Sequence, residues 1–74
     1  MRVKFKENLY FFSEVSLKPR TGLTLTMFGN PSNTLDISTF YAIEIFHELC
    51  NTGYVDLGKY SVSEEDMKWS TKEY

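Results

Sequence analysis

Apolar side chains recur at every second position on both sides of Lys18-Pro19-Arg20-Thr21-Gly22, and this alternation constrains the fold more than any other feature. Before that segment Leu9, Phe11, Val15 and Leu17 keep period two, as Val3 and Phe5 do against Lys4 and Lys6. After it Leu23, Leu25 and Met27 alternate with Thr24 and Thr26. Period two marks strands with one buried face. Proline at the second position of a turn and glycine where φ must be positive make the intervening segment a hairpin connection. Leu17 opposite Leu23 then sets Val15 opposite Leu25 on one face. The other face receives Ser16 with Thr24, Glu14 with Thr26, and Phe12 with Phe28. A slip of one residue would oppose Leu to Thr throughout, so hydrophobic consistency selects this register.

Glu7-Asn8 is the expected break before this hairpin. A two-residue loop there pairs Phe5 with Tyr10 and Val3 with Phe12, the alternative being one bent strand from Val3 to Leu17. In either case Tyr10, Phe12 and Phe28 gather on the face opposite Leu17 and Leu25. Gly29-Asn30-Pro31-Ser32-Asn33 reads as a loop. One long helix is expected over Asp36–Asn51, with capping oxygens at Asn33, Thr34, Asp36 and Ser38 and a left-handed stop at Asn51-Thr52-Gly53. Its apolar residues, Tyr41 to Cys50, spread over more than half the circumference, whereas a helix on one sheet needs a stripe of only about 100°. Such a helix is sandwiched inside the chain or covered by a second molecule.

Tyr54–Leu57 and Lys59–Val62 read as a strand interrupted at Gly58. Ser63, followed by Glu64, Glu65 and Asp66, opens a short final helix, with Val62 and Met67 as its hydrophobic staple. The expected fold is α+β: a small antiparallel sheet built on the N-terminal hairpin and packed by one long helix, then a short strand and a short C-terminal helix. Residues 1–74 form a single domain.

Twelve of the 74 residues are aromatic, six Phe, five Tyr and one Trp. A domain near this size buries only about 60% of the surface its unfolded chain exposes. Phe5, Phe11 and Phe46 suit the core, while the remaining rings exceed what so small an interior takes in. With Cys50 as the single cysteine, no bridge forms within the chain. No segment approaches a membrane span of about 20 apolar residues, and the expected location is cytoplasmic. Charge is uneven: residues 1–30 carry five basic groups against two acids, and residues 31–74 carry three against eight.

Chemistry-bearing constellations are sparse. Glu44-x-x-His47 beside Glu48 has the helical spacing of a di-iron ligand pair, but one copy lacks the further carboxylates such a site requires. His47 and Cys50 lie three apart, yet on different arcs, and a Cys on an apolar arc acts as a small hydrophobe. Ser61 and Ser63 precede acids, with capping as the structural role of Ser63. No cofactor, metal or catalytic set is expected, and the chain is read as non-enzymatic. The favoured function is binding of another protein, including a second copy as a homodimer, through Tyr10, Phe12, Phe28, Ile37, Phe40, Glu44, His47 and Trp69. An inhibitor or modulator of the kind carried by phage and mobile elements suits the size. The alternative is a nucleic-acid-binding domain that uses Arg2, Lys4, Lys6, Lys18 and Arg20 with Tyr10 and Phe12 on the basic N-terminal sheet. An enzyme subunit or small-molecule binder ranks third.

Overall fold

A computed structural model describes residues 1–19 and 22–71. Strands β1 (Arg2–Phe5), β2 (Asn8–Leu17), β3 (Gly22–Met27) and β4 (Asn33–Ser38) precede helix α1 (Ala42–Thr52). Strand β5 (Tyr54–Asp56), two short 3₁₀ turns (Leu57–Tyr60 and Glu64–Asp66) and β6 (Met67–Thr71) complete the chain. The six strands form one sheet in the order β5-β1-β2-β3-β4-β6, antiparallel throughout except for the parallel pair β1–β5. The fold is thus α+β, a small and mostly antiparallel sheet packed by one helix, as expected.

The β2–β3 hairpin has the expected register from Leu17↔Leu23 to Glu14↔Thr26, then departs from it at Ser13. A bulge there pairs Phe12 with Met27 rather than Phe28. One extra residue reverses the alternation of β2. Before the bulge the even residues Tyr10 and Phe12 point inward; beyond it the odd residue Val15 does. Phe12 therefore shares the face of Leu25 and is 1% exposed, which overturns its placement on the opposite face with Phe28. Phe11, expected in the core, is turned outward and half exposed.

The first turn falls at Lys6-Glu7, one residue earlier than expected, with Lys6 in the left-handed region at φ 55°. The pairs are accordingly Phe5↔Asn8, Val3↔Tyr10 and Arg2↔Phe11. Lys18 N–H donates to the Gly22 carbonyl at the other turn, whose residues Arg20 and Thr21 lie outside the described residues.

Three assignments change in the second half. Lys59–Val62, expected as the second part of a strand, does not form one: a 3₁₀ turn spans Leu57–Tyr60, with Asp56 accepting from the Gly58 N–H. Residues 36–38 belong to β4 rather than to the helix, because Leu35 and Ile37 alternate with Thr34 and Asp36 and complete the apolar pairs Leu25↔Leu35 and Leu23↔Ile37. Helix α1 begins at Ala42 and buries only Ala42, Ile45 and Leu49. Gly53, at φ 74°, ends it as expected by donating to the Leu49 carbonyl. The C-terminal helix is a single 3₁₀ turn. Asp66 accepts from the Ser63 N–H and hydroxyl, both at 3.0 Å, as the N3 member of a capping box in which Ser63 is the N-cap, as expected. Met67 and Trp69 then alternate with Lys68 and Ser70 to pair with β4 as Ile37↔Met67 and Leu35↔Trp69. Period two prevails because β4 needs a neighbour on that side more than three acids need a longer helix.

The core runs from Val3 and Phe5 through Phe12, the leucines of β3 and β4, and α1 to Val55, Leu57 and Val62. The sheet curls enough to bring Trp69 of β6 against Phe12 of β2, three strands away, with ring centroids 6.2 Å apart. Phe12→Ala should cost about 3–5 kcal/mol, as cavity-forming core truncations do, while Phe28→Ala should stay within roughly 0.5 kcal/mol of the parent. Urea unfolding of both variants tests this, and equal losses would contradict the bulge.

Candidate partner-binding surface

The bulge decides what the outer face of the sheet displays. Where β1 meets the first half of β2, the outward positions are Arg2 and Lys4 opposite Phe11 and Leu9. Tyr54 of β5 lies beside Arg2, whose guanidinium sits 5.6 Å from the ring centroid. Phe28, just past β3, donates its N–H to the Phe11 carbonyl at 3.0 Å. A row of Tyr54, Arg2, Phe11 and Phe28 thus crosses four neighbouring strands, roughly 14 Å at the usual spacing of about 4.8 Å. Phe28 is 70% exposed, Phe11 51% and Leu9 47%. Contiguous exposed rings on a rigid sheet mark an interaction site more than scattered ones do.

Beyond the bulge the same face turns polar, with Glu14 and Ser16 beside Thr24, Thr26, Thr34 and Asp36. The Thr24 hydroxyl donates to Asp36 at 2.7 Å, and the Lys18 ammonium lies 3.0 Å away. Partial burial pushes the Asp36 carboxyl up, but the Thr24 hydroxyl, Lys18 and Lys68 outweigh it and hold the group below its ordinary value.

A second exposed group sits where β4 leads into the helix. Phe40 is 87% exposed, with Ile43 and Tyr41 beside it. Tyr41 packs on Tyr60 at 5.7 Å. The Tyr60 hydroxyl donates to Glu48 at 2.6 Å, and Lys59 reaches the same carboxylate at 3.1 Å. The Tyr60 hydrogen bond, then Lys59, holds Glu48 below its ordinary value, and the same bond raises Tyr60.

The eight expected partner residues therefore separate. Ile37 and Phe12 are core residues, 1% exposed each, and present no surface to a partner. Tyr10 and Trp69 meet at 5.6 Å on the inner face, lining a groove of about 220 Å³ with Phe5 and Met67. Phe28 belongs to the outer row, Phe40 to the turn before α1, and the exposed Glu44 and His47 to the helix itself. Cys50, expected on a covered arc, is exposed. Among the described residues no group of three His, Cys, Asp or Glu is arranged to hold a metal ion. Leu9, Phe11 and Tyr54 were not anticipated as surface residues. Four consecutive apolar positions, Leu9 to Phe12, conceal the alternation, and only the register resolves it.

The basic residues separate too. Lys6 pairs with Glu64 at 2.7 Å and Lys18 with Asp36, while Arg20 lies outside the described residues. Arg2 and Lys4 remain on the outer face, where Asp56 flanks Lys4. Comparisons with protein-family models, curated proteins and solved structures give no match.

The Glu48–Tyr60 bond has a defined pH window. A depressed carboxylate contributes stability above its ordinary value of 4.5 and loses it as pH falls through the lower folded value. A raised phenol contributes below its ordinary value of 10.0 and loses it as pH climbs through the higher folded value. Tyr60→Phe should therefore be less stable by about 1 kcal/mol at neutral pH, with the gap narrowing below pH 4.5 and above pH 10. Urea unfolding at three pH values checks this. A gap independent of pH would contradict it.

Proposed function

We propose that this protein acts by binding another protein through the outer face of β1, β2 and β3, as a non-enzymatic inhibitor or modulator that works by occupancy. The observation that carries this is the outward row Tyr54–Arg2–Phe11–Phe28, exposed except for the half-buried Tyr54, with Leu9 alongside. Aromatic side chains and arginine are the groups that anchor interfaces, because they bury a large area with few rotors and carry a polar handle. Removing a half-exposed phenylalanine from water contributes on the order of 1 kcal/mol or more. A standard interface takes about 800 Å² per side. That is roughly a sixth of this molecule's 5078 Å², so the partner must also meet the hydroxyl-rich part of the face around the row.

Nucleic acid is the weaker partner for this surface. Phosphate binding draws its affinity from several unpaired cations releasing counterions, and Lys6 and Lys18 already face carboxylates. Arg2 and Lys4 alone give a small electrostatic contribution in a chain of net charge −2.

F11D and F28D should fold as the parent does, since neither ring is in the core. Each should weaken the captured protein partner about thirtyfold, the effect of losing a hot-spot side chain. F40D should leave capture unchanged. Affinity capture from the native host, quantified for the parent and the three variants, reads this directly. Capture that survives F11D and F28D but is lost in F40D would move the site to the helix end.

A further inference from the structure

We propose that two copies of this chain pair antiparallel along the free edge of β2, with Ser16 opposite the partner's Ser16 on the twofold axis. This surface is distinct from the aromatic row, so the two readings stand or fall separately. Strand β2 is flanked by β1 only from Asn8 to Phe11 and by β3 from Phe12 to Leu17. Residues 13–17 therefore have a strand neighbour on one side. Lys18 N–H bonds to Gly22, and backbone groups alternate sides along a strand, so the even residues 14, 16 and 18 face β3. Val15 and Leu17 accordingly aim their N–H and C=O groups at the open edge. Among the described residues no backbone group from Ser13 to Leu17 bonds on that side. All of these residues but Val15 are exposed, Leu17 at 41%.

Water solvates such an array, but another strand pairs with all of it at once, and natural edges are usually protected from this by charge, proline or brevity. The β5 edge is three residues long. The β6 edge, whose single ionised residue is Lys68, offers no self-pairing between opposite charges. The β2 edge does. Because Val15 and Leu17 carry the outward groups, four registers compete. The one centred on Leu17 sets Val15 against the partner's Pro19, which has no N–H to donate, and three remain. One sets Glu14 against the partner's Glu14. A second sets Val15 against the partner's Val15 and leaves Leu17 facing the partner's Ser13. The third, centred on Ser16, matches Val15 with the partner's Leu17 and Glu14 with the partner's Lys18, and repeats both across the axis. It forms four backbone hydrogen bonds, two apolar pairs and two opposite-charge pairs, with no like charges opposed. Lys18 then lies between Asp36 of its own chain and the partner's Glu14.

Sedimentation velocity across a concentration series should show a reversible monomer–dimer equilibrium. E14K alone and K18E alone each create two like-charge contacts, and each should weaken dimerisation about tenfold. Mixing E14K with K18E makes both contacts opposite again and should restore the parent affinity in a heterodimer, which a general surface effect would not do. In a Cys50→Ser background, S16C should oxidise to a covalent dimer while S13C should not, because only residue 16 meets itself. Circular dichroism confirms that each variant is folded. A folded monomer at every concentration, a mixture that fails to recover, equal crosslinking of S13C and S16C, or a dimer broken by F11D instead would each overturn the edge assignment.

Discussion

One extra residue in one strand organises this molecule. Without the bulge at Ser13, β2 would keep a single parity over ten residues. Burying Phe12 would then expose Val15, and burying Val15 would expose Phe12. The reversal lets both halves of the strand face one core, the first against β1 and the second against β3. Bulges also increase local twist. Here β2 bends enough for the far strand to return, so that Trp69 closes over Phe12 and Tyr10 at centroid distances of 6.2 and 5.6 Å. A chain of 74 residues with no disulfide depends on such economy, because its interior is small for its surface.

The same reversal divides the outer face. On the β1 side of the bulge it carries rings and an arginine, and on the far side hydroxyls, Glu14, and Asp36 with its charge met by Lys18. There the Thr24 hydroxyl and the Lys18 ammonium already occupy the Asp36 carboxylate. A partner that wants apolar contact is thereby confined to one end of the sheet. The helix buries only part of its apolar composition, because α1 turns Ala42, Ile45 and Leu49 inward and leaves Ile43 outside.

Much of the fold was legible in the sequence where a single period ran long enough. The β2–β3 register from Glu14 to Leu17, the stop at Gly53 and the cap at Ser63 all follow from local chemistry. Three things did not. Leu35 and Ile37 fit a helix face as well as a strand face, and the choice is made by Leu23 and Leu25, which need a neighbour. The acids after Ser63 favour a helical turn, but Met67 and Trp69 are recruited by β4. The run Leu9–Phe12 is apolar at both parities, so which rings are core depends on a bulge that no residue type announces. The outer row was missed for that reason. Phe11 was assigned to the core, and Tyr54 becomes its near neighbour only through a pairing that spans most of the chain.

That parallel pairing also bears on how far the molecule can be divided. Strand β1 lies between β2 and β5, so its second hydrogen-bonding edge is completed by residues some fifty positions later. The Arg2 N–H donates to the Gly53 carbonyl at 2.8 Å, joining the first strand to the end of the helix. Val55 and Leu57, which follow, are fully buried in the same core as Val3. A cut between the helix and β5 would strip Val55, Leu57 and Val62 from the core. Strands β1 and β5 are halves of one clasp, and the surface that displays Arg2 beside Tyr54 exists only while the clasp is shut.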